Sequence, residues 1–215
     1  MSPKVTESHR QQKKLEILDA AKKVFIRKGY EQTTMKDIVD ESGLSRGGVY
    51  LYYSSTEEIF LDIMKLNDRH LITMVQNRLK HCSVVWEAIL ELAEQIKKVL
   101  FSVQNGIEPV IFEYFMACRR NEKAQNLLDE RFAGAMECLS GLMNAGIERK
   151  EFKPVFAAAD IAVYLLSFLD GLEINIIQHG TEKFNPDSII NQVLQYLRYV
   201  LNPVGDIFPN RHPPK

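Results

Sequence analysis

Apolar residues recur at intervals of three and four along almost the whole chain, and no segment alternates with period two between turn residues. The pattern predicts an all-α protein of about nine helices with no sheet. The first expected helix covers residues 8–28, where Leu15, Leu18, Ala21 and Phe25 form one stripe and Gly29 follows as a terminating glycine. Two short helices follow, at 35–42 and 46–52. Thr34 and Asp37 have the spacing of a capping box, Gly43 ends the second helix, and Ser45 is the N-cap of the third. A long fourth helix over 56–79 starts after Ser55, with Glu58 placed to complete a second capping box. Further helices are expected at 84–103, 108–120, 123–149, 156–179 and 186–201. Pro109 and Pro186 stand at first-turn positions, Asn185 is a ready N-cap, and Pro154 parts the seventh helix from the eighth. Half of the eight prolines fall in the last 14 residues, which reads as a loose tail. The expected division is a head of residues 1–55, a helical body of 56–202 and a flexible tail of 203–215.

The head carries the most specific pattern. In TMKDIVDESGLSRGGVYLYY, from Thr34 to Tyr53, two short helices are parted by Gly43-Leu44-Ser45, the short glycine-containing turn of a helix-turn-helix. Gly43 supplies positive φ, and Leu44 can tuck beneath the turn. Ile38, Val39, Val49 and Tyr53 fall where they can face the stripe of the first helix. The presented helix has little bulk at Gly47 and Gly48, so its backbone can approach base edges. Arg46 can reach a guanine, and Tyr50 and Tyr52 offer hydroxyls of the kind that hold phosphates. Thr33 and Thr34 put hydroxyls and N–H groups at a helix N-terminus, a ready anion site, and Lys36 projects from the same first turn. Each feature alone has a structural alternative: the glycines as loop residues, Tyr50 and Tyr53 as core aromatics, Thr34 as a cap. The combination in this order is far more specific.

Charge supports that reading weakly. The whole chain is close to neutral, but residues 1–80 hold 14 Lys and Arg against 11 Asp and Glu, and residues 81–215 hold 13 against 17. A polyanion would therefore meet the head. Cys82, Cys118 and Cys138 are odd in number and lack C-x-x-C spacing, which argues against a disulfide framework or a thiolate zinc site. The polar first 14 residues show no signal peptide, and the most apolar run, Ile161 to Leu169, is far shorter than the ~20 residues of a membrane span. A cytoplasmic protein without a cofactor is expected. There is no G-x-S-x-G, glycine-rich phosphate loop or H-E-x-x-H, and the five histidines are scattered, so no enzymatic activity is expected.

Residues 15–60 resemble the N-terminal domain of the TetR/AcrR family of bacterial transcriptional regulators. The elements that carry the resemblance are Ala21…Phe25…Gly29-Tyr30, Thr33-Thr34…Ile38-Val39, and SGLSRGGVYLYYSSTEEIF from Ser42 to Phe60. The resemblance implies DNA contacts at Lys36, Arg46, Gly48, Tyr50 and Tyr52, with Thr34 and Thr56 as additional candidates. Two positions depart from the family pattern. Gly48 stands where the recognition helix usually has Thr, and Thr56 replaces a Lys that commonly grips a phosphate. A basic arm of Lys4, Arg10, Lys13 and Lys14 is weighed against a solvated N-terminus, which is the simpler reading.

The resemblance also implies an all-helical body that binds a small molecule and dimerises. Trp86, Phe112, Phe115, Met116 and Met136, with Phe101, Tyr114 and Met143, are candidates to line an apolar pocket, although such residues are more often plain core. Glu113, Arg119 and His179 are polar candidates beside it. The segment 156–179 is apolar over more of its circumference than a surface helix needs, and 186–201 adds a second stripe. One chain could bury both internally. The spacing of Asp160 and Asp170-Gly171-Leu172 resembles the family's dimer helix, and small residues permit close approach, so a homodimer through Ala162, Leu166, Leu169, Ile190, Leu194 and Leu197 is expected. The expected function is a ligand-responsive repressor binding a palindromic double-stranded operator as a dimer and released by an apolar small molecule. The alternative is a helical protein-interaction module without DNA binding.

Overall fold

The computed structural model describes residues 7–205. Its helices are α1 (Glu7–Lys28), α2 (Met35–Ser42), α3 (Arg46–Tyr50), α4 (Thr56–His81), α5 (Val85–Ser102), α6 (Glu108–Ala117), α7 (Glu122–Glu148), α8 (Ala158–His179) and α9 (Pro186–Leu201). Each of the nine expected helices occurs among the described residues, and their only β-type pairing is an isolated bridge between Phe152 and Pro203. The ends differ where turns intervene. Helix α6 stops three residues early, because the Cys118 backbone leaves helical geometry while its N–H still bonds the Tyr114 carbonyl. Helix α8 begins two residues late, after Val155 donates to the Val200 carbonyl at 2.8 Å.

The chain divides into two compact units. One takes the chain up to His70 and adds Asn105–Ala124, and the other takes Leu71–Gln104 and continues from Gln125. The first unit is built on an aromatic cluster. The Phe25 and Phe60 rings lie 4.9 Å apart, Tyr30 and Phe60 5.1 Å, Tyr30 and Tyr114 4.8 Å, and Phe60 and Tyr114 5.2 Å. Tyr114 comes from α6, so a helix far along the sequence completes this core. Burial, and secondarily the Glu57 carboxylate, push the Tyr114 phenol up to about 12. Its neighbour Glu113 clasps the turn after α1: its carboxylate accepts the Tyr30 N–H at 2.9 Å and the Glu31 N–H at 3.1 Å. Gly29 sits at φ +82° under that carboxylate, and a Cβ there would lie 2.8 Å from Glu113 Oε2. The turn thus requires glycine for conformation and for space.

The second unit packs α5 and the later part of α7 against α8 and α9 around Trp86, Leu142, Phe152, Leu165, Leu197 and Leu201. Val84 gives α5 no side-chain cap, and the buried Glu151 replaces it: its carboxylate accepts the Val85 N–H at 2.6 Å. Arg149 caps the other end of a helix by donating to the Leu79 carbonyl at 2.7 Å and the Cys82 carbonyl at 3.3 Å, both at the end of α4. Pro203 pairs with Phe152, and the Val204 N–H bonds the Glu151 carbonyl at 2.8 Å. The beginning of the expected tail is therefore tied to the loop before α8. The rest of the tail from 206 onward, and Lys4 of the expected basic arm, lie outside the described residues.

Candidate nucleic-acid interface and apolar cavity

The geometry of the head follows from its caps. Thr34 starts α2 with a complete capping box: its hydroxyl oxygen accepts the Asp37 N–H, and the Asp37 carboxylate accepts the Thr34 N–H at 3.0 Å. Gly43 closes α2 at φ +66°, a left-handed turn that points the chain into α3. Ser45 then caps α3, its hydroxyl accepting the Gly48 N–H at 3.1 Å. Val49 is buried against the unit's core. Tyr53 is buried too, with its hydroxyl donating to Asp62 at 3.0 Å and the Lys14 ammonium 5.2 Å from its ring centre. One edge of α3 is thus bolted to the core, and the other faces solvent.

Arg46, Gly47, Tyr50 and Leu51 are exposed on α3 and its last turn, while Gly48 and Tyr52 are partly covered. The Arg46 guanidinium lies 5.3 Å from the centre of the Tyr50 ring, a cation–π pair that holds both side chains on the outer surface. Tyr53, for which a core role was open, takes it, and Tyr50 does not. A Cβ at Gly48 would lie 3.2 Å from the capping Ser45 hydroxyl, a close contact that a small shift of that side chain would relieve. Lys36 is largely exposed and its ammonium rests on Asp40 at 2.6 Å, one turn along α2.

The start of α2, expected from the sequence as an anion site, already holds an acidic side chain. The Thr34 N–H and hydroxyl are both taken by Asp37, whose carboxyl also holds the Lys28 ammonium at 2.7 Å. Thr33 is buried, with its hydroxyl donating to the Gly29 carbonyl at 2.7 Å. An acidic side chain already sits at that helix terminus, so Thr34 acts as a cap whose own N–H and hydroxyl are taken. The Lys28 ammonium, followed by the Thr34 hydroxyl and N–H, holds the Asp37 carboxyl well below its ordinary range. Thr56 is the partly buried first residue of α4. The box expected there is offset by one residue: Ser55 accepts the Glu58 N–H at 3.2 Å, but Glu58 reaches back to the N–H and hydroxyl of Ser54, at 2.7 and 2.9 Å.

In the second unit a cavity of about 50 Å³ lies between α5, α7, α8 and α9, lined only by apolar side chains. The residues expected at a pocket are elsewhere. Trp86 is packed in the core and borders no part of the cavity, Met136 flanks the same core, and Phe112, Phe115 and Met116 belong to the other unit, Met116 at 71% exposure. Of the wider group only Met143 lines the cavity. Instead, its wall includes Leu169, Ile190, Leu194 and Leu197, four residues expected at a dimer face. Ala162 is wholly buried, and Ile190 and Leu197 are 2% and 6% exposed. These three have no surface left to offer a partner, and Leu166 is half-buried. What α8 shows to solvent is a neighbouring stripe, Val163, Tyr164, Ser167 and Phe168, with Tyr199 of α9 at 76% exposure. Periodicity marks both helices as strongly apolar, and packing leaves a neighbouring stripe of α8 open to solvent. Ile89, Leu92, Ala93 and Ile96 of α5 were missed as cavity residues, although their three- and four-residue spacing marks a buried stripe.

Residues 17–63 match the family model described as "Bacterial regulatory proteins, tetR family", and residues 88–187 match "Tetracyclin repressor-like, C-terminal domain". The chain is 41% identical over 201 residues to the HTH-type transcriptional regulator YfiR of Bacillus subtilis (strain 168), covering 94% of this chain and 98% of that one. The chain belongs to the TetR family. This TetR-family chain is also similar to the fatty acid metabolism regulator protein of Bacillus subtilis (strain 168), at 25% identity over 66% of this chain and 71% of that one. Its fold matches the crystal structure of a transcriptional regulator, FadR from Bacillus subtilis, in complex with stearoyl-CoA. The TM-score is 0.67 at 21% identity, over 85% of this chain and 96% of that chain. The TetR-family chain is thus a helix-turn-helix transcriptional regulator, and α2, the Gly43 turn and α3 all lie within the matched residues 17–63. Among the described residues no helix is long and apolar enough to cross a membrane.

Proposed function

We propose that this regulator acts in the cytoplasm as a homodimer, binds a palindromic operator through α3 of each protomer, and represses until an apolar effector enters the body. The observation that carries the DNA reading is the Arg46–Tyr50 pair, held outward on a helix whose other edge is locked by Val49, Tyr53 and the Ser45 cap. Arg46 and Tyr50 read or anchor the duplex, Tyr52 supports them, the exposed Gly47 and the neighbouring Gly48 let the backbone approach, and Lys36 exchanges Asp40 for a phosphate. Two recognition helices related by a two-fold axis suit half-sites about 34–36 Å apart or multiples of that spacing. The exposed stripe of α8 with Tyr199 is the surface offered to the second protomer.

The purely apolar cavity supports an effector with a substantial apolar part, as does the likeness in fold to a regulator crystallised with stearoyl-CoA. At about 50 Å³ the space is far below the ~300 Å³ of a small-molecule site, so an effector must part the side chains of α5, α7, α8 and α9. The filled and empty packings are then alternative states, and the effector favours the first by its differential affinity. Helices α5 and α7 flank α6 in sequence, and α6 delivers Glu113 and Tyr114 to the head. That connection is the route by which effector and DNA oppose each other, reciprocally and with a coupling of ~1–3 kcal/mol.

The test is a binding titration on the promoter region of the protein's own gene. Wild type binds, and its affinity falls by ~10³–10⁵ between 50 and 200 mM salt if roughly 6–10 phosphates are neutralised. Undiminished binding by a folded Arg46→Ala, Tyr50→Ala variant would remove α3 from the interface. A salt-independent affinity would favour a protein partner over DNA.

A further inference from the structure

The structure assigns Leu51 as a base-reading residue of the recognition helix, making an apolar contact with the C5-methyl group of a thymine in the major groove. The inference rests on the reading of α3 as the DNA-facing helix. Leu51 is the C-cap of α3, still in right-handed helical geometry, and its N–H donates to the Gly47 carbonyl at 3.1 Å. It is 72% exposed, more than Tyr50 on the same short helix. A lone exposed leucine is ordinary on a protein surface and carries no meaning by itself. This one is continuous with the Arg46–Tyr50 pair, and nothing in its own unit covers it.

Spacing joins Leu51 to Gly47 in the way it joins Tyr50 to Arg46. Residues four apart share a helix face, and helical side chains lean toward the preceding turn. A Cβ built on Gly47 meets nothing within 4 Å, so the strip of backbone N-terminal to Leu51 is bare and open. The outer surface of α3 therefore carries two parallel stripes. One is cationic and aromatic, Arg46 with Tyr50, and the other is apolar and slender, Gly47 with Leu51.

Base chemistry decides what the second stripe can read. In the major groove guanine and adenine offer acceptors and donors, cytosine offers an amino group, and thymine adds an apolar methyl. Leucine has no donor or acceptor. Pressed against a purine edge or a cytosine amino group, it would displace water from a polar atom and give nothing in return. Against a thymine methyl it removes apolar surface of both partners from water. The absent side chain at Gly47 is what allows the helix to come close enough for so short a contact.

The experiment uses the full-length wild-type protein to select duplexes from a random-sequence library. Each thymine of the tightest duplex is then replaced in turn by deoxyuridine, which deletes only the methyl group. Affinities are measured at one salt concentration for wild type, Leu51→Ala and Leu51→Met, with thermal unfolding checked for all three. The expected result is a thymine in each half-site whose replacement weakens wild type by about fourfold, the ratio that burial of one such group is worth. Leu51→Ala loses a similar factor on the thymine duplex and is indifferent to deoxyuridine there, while Leu51→Met keeps the sensitivity. If every replacement affects wild type and Leu51→Ala equally, the assignment of Leu51 is overturned while α3 remains the reader. If no sequence is enriched over the random pool, both the assignment and the reading of α3 fall.

Discussion

The short helix α3 and the two long helices at the end of the chain carry their proposed surfaces in opposite chemical terms. In α3 the five residues from Arg46 to Tyr50 have one buried side chain, Val49, and the candidate readers are the residues left over. In α8 apolar residues surround most of the circumference, α9 adds a broad apolar face, and three destinations compete for these residues: the chain's own core, the cavity and the solvent-facing stripe. Where polar function projects from a minimally anchored helix, position implies role. Where most sides are apolar, a fraction of a turn about the axis separates a core residue from a solvent-facing one.

That contrast is open to direct attack. The largest effect is expected in the body. Leu197→Ala removes a buried residue on the cavity wall and should cost about 2–5 kcal/mol in chemical unfolding. Tyr199→Ala, 76% exposed beside that stripe, should cost the single chain less than about 0.5 kcal/mol while shifting sedimentation toward monomer. Equal losses of folding stability for the two would reverse the assignment of faces.

In the head the expected losses are of binding. Arg46→Ala should weaken operator binding by about 1–3 kcal/mol with unchanged unfolding, the opposite signature to Leu197→Ala. Glu113→Ala combines the two. It deprives the Tyr30 and Glu31 N–H groups of their acceptor and should lower the head's stability by about 1–2 kcal/mol, read by hydrogen exchange at those two amides. Exchange unchanged at Tyr30 and Glu31 would show that α6 does not hold that turn. Thr56→Lys, which restores the family's usual residue, should strengthen DNA binding modestly and steepen its salt slope by about 0.9 for each phosphate gained.

The smallest effect is electrostatic. The Asp37 carboxyl is held below its ordinary value of 3.8 in the folded head, chiefly by Lys28 and then by Thr34. A depressed carboxyl stabilises the folded state above its ordinary value and ceases to do so as pH falls through its lowered one. Wild type should therefore lose head stability progressively as pH drops below about 3.8, and Asp37→Asn should show a shallower decline over that window. Parallel declines for the two proteins would mean that Asp37 contributes nothing to acid unfolding.

The legible parts of the chain share a cause. Thr34 with Asp37, Ser45 with Gly48, and Gly43 at positive φ are interactions among residues at most three apart, so spacing alone identifies them. The misreadings share one too. Thr34 has the right chemistry for a phosphate, and only the position of Asp37 reveals that its N–H is occupied. Ala162, Ile190 and Leu197 have the right chemistry for a dimer face, and only packing reveals that they are already covered. Glu113 and Glu151 cap backbone groups 83 and 66 positions away in sequence, a separation at which no local pattern exists.

The sequence by itself determined the helices, the local caps at Thr34, Ser45 and Asn185, the helix-turn-helix and the family to which they belong, because each depends on neighbours within a turn or two. Tertiary structure alone decided which side of α8 and α9 meets solvent, where the cavity lies, and that α6 completes the core of the head. Those outcomes depend on burying apolar area against distant elements, and burial is indifferent to where in the sequence the covering residue comes from.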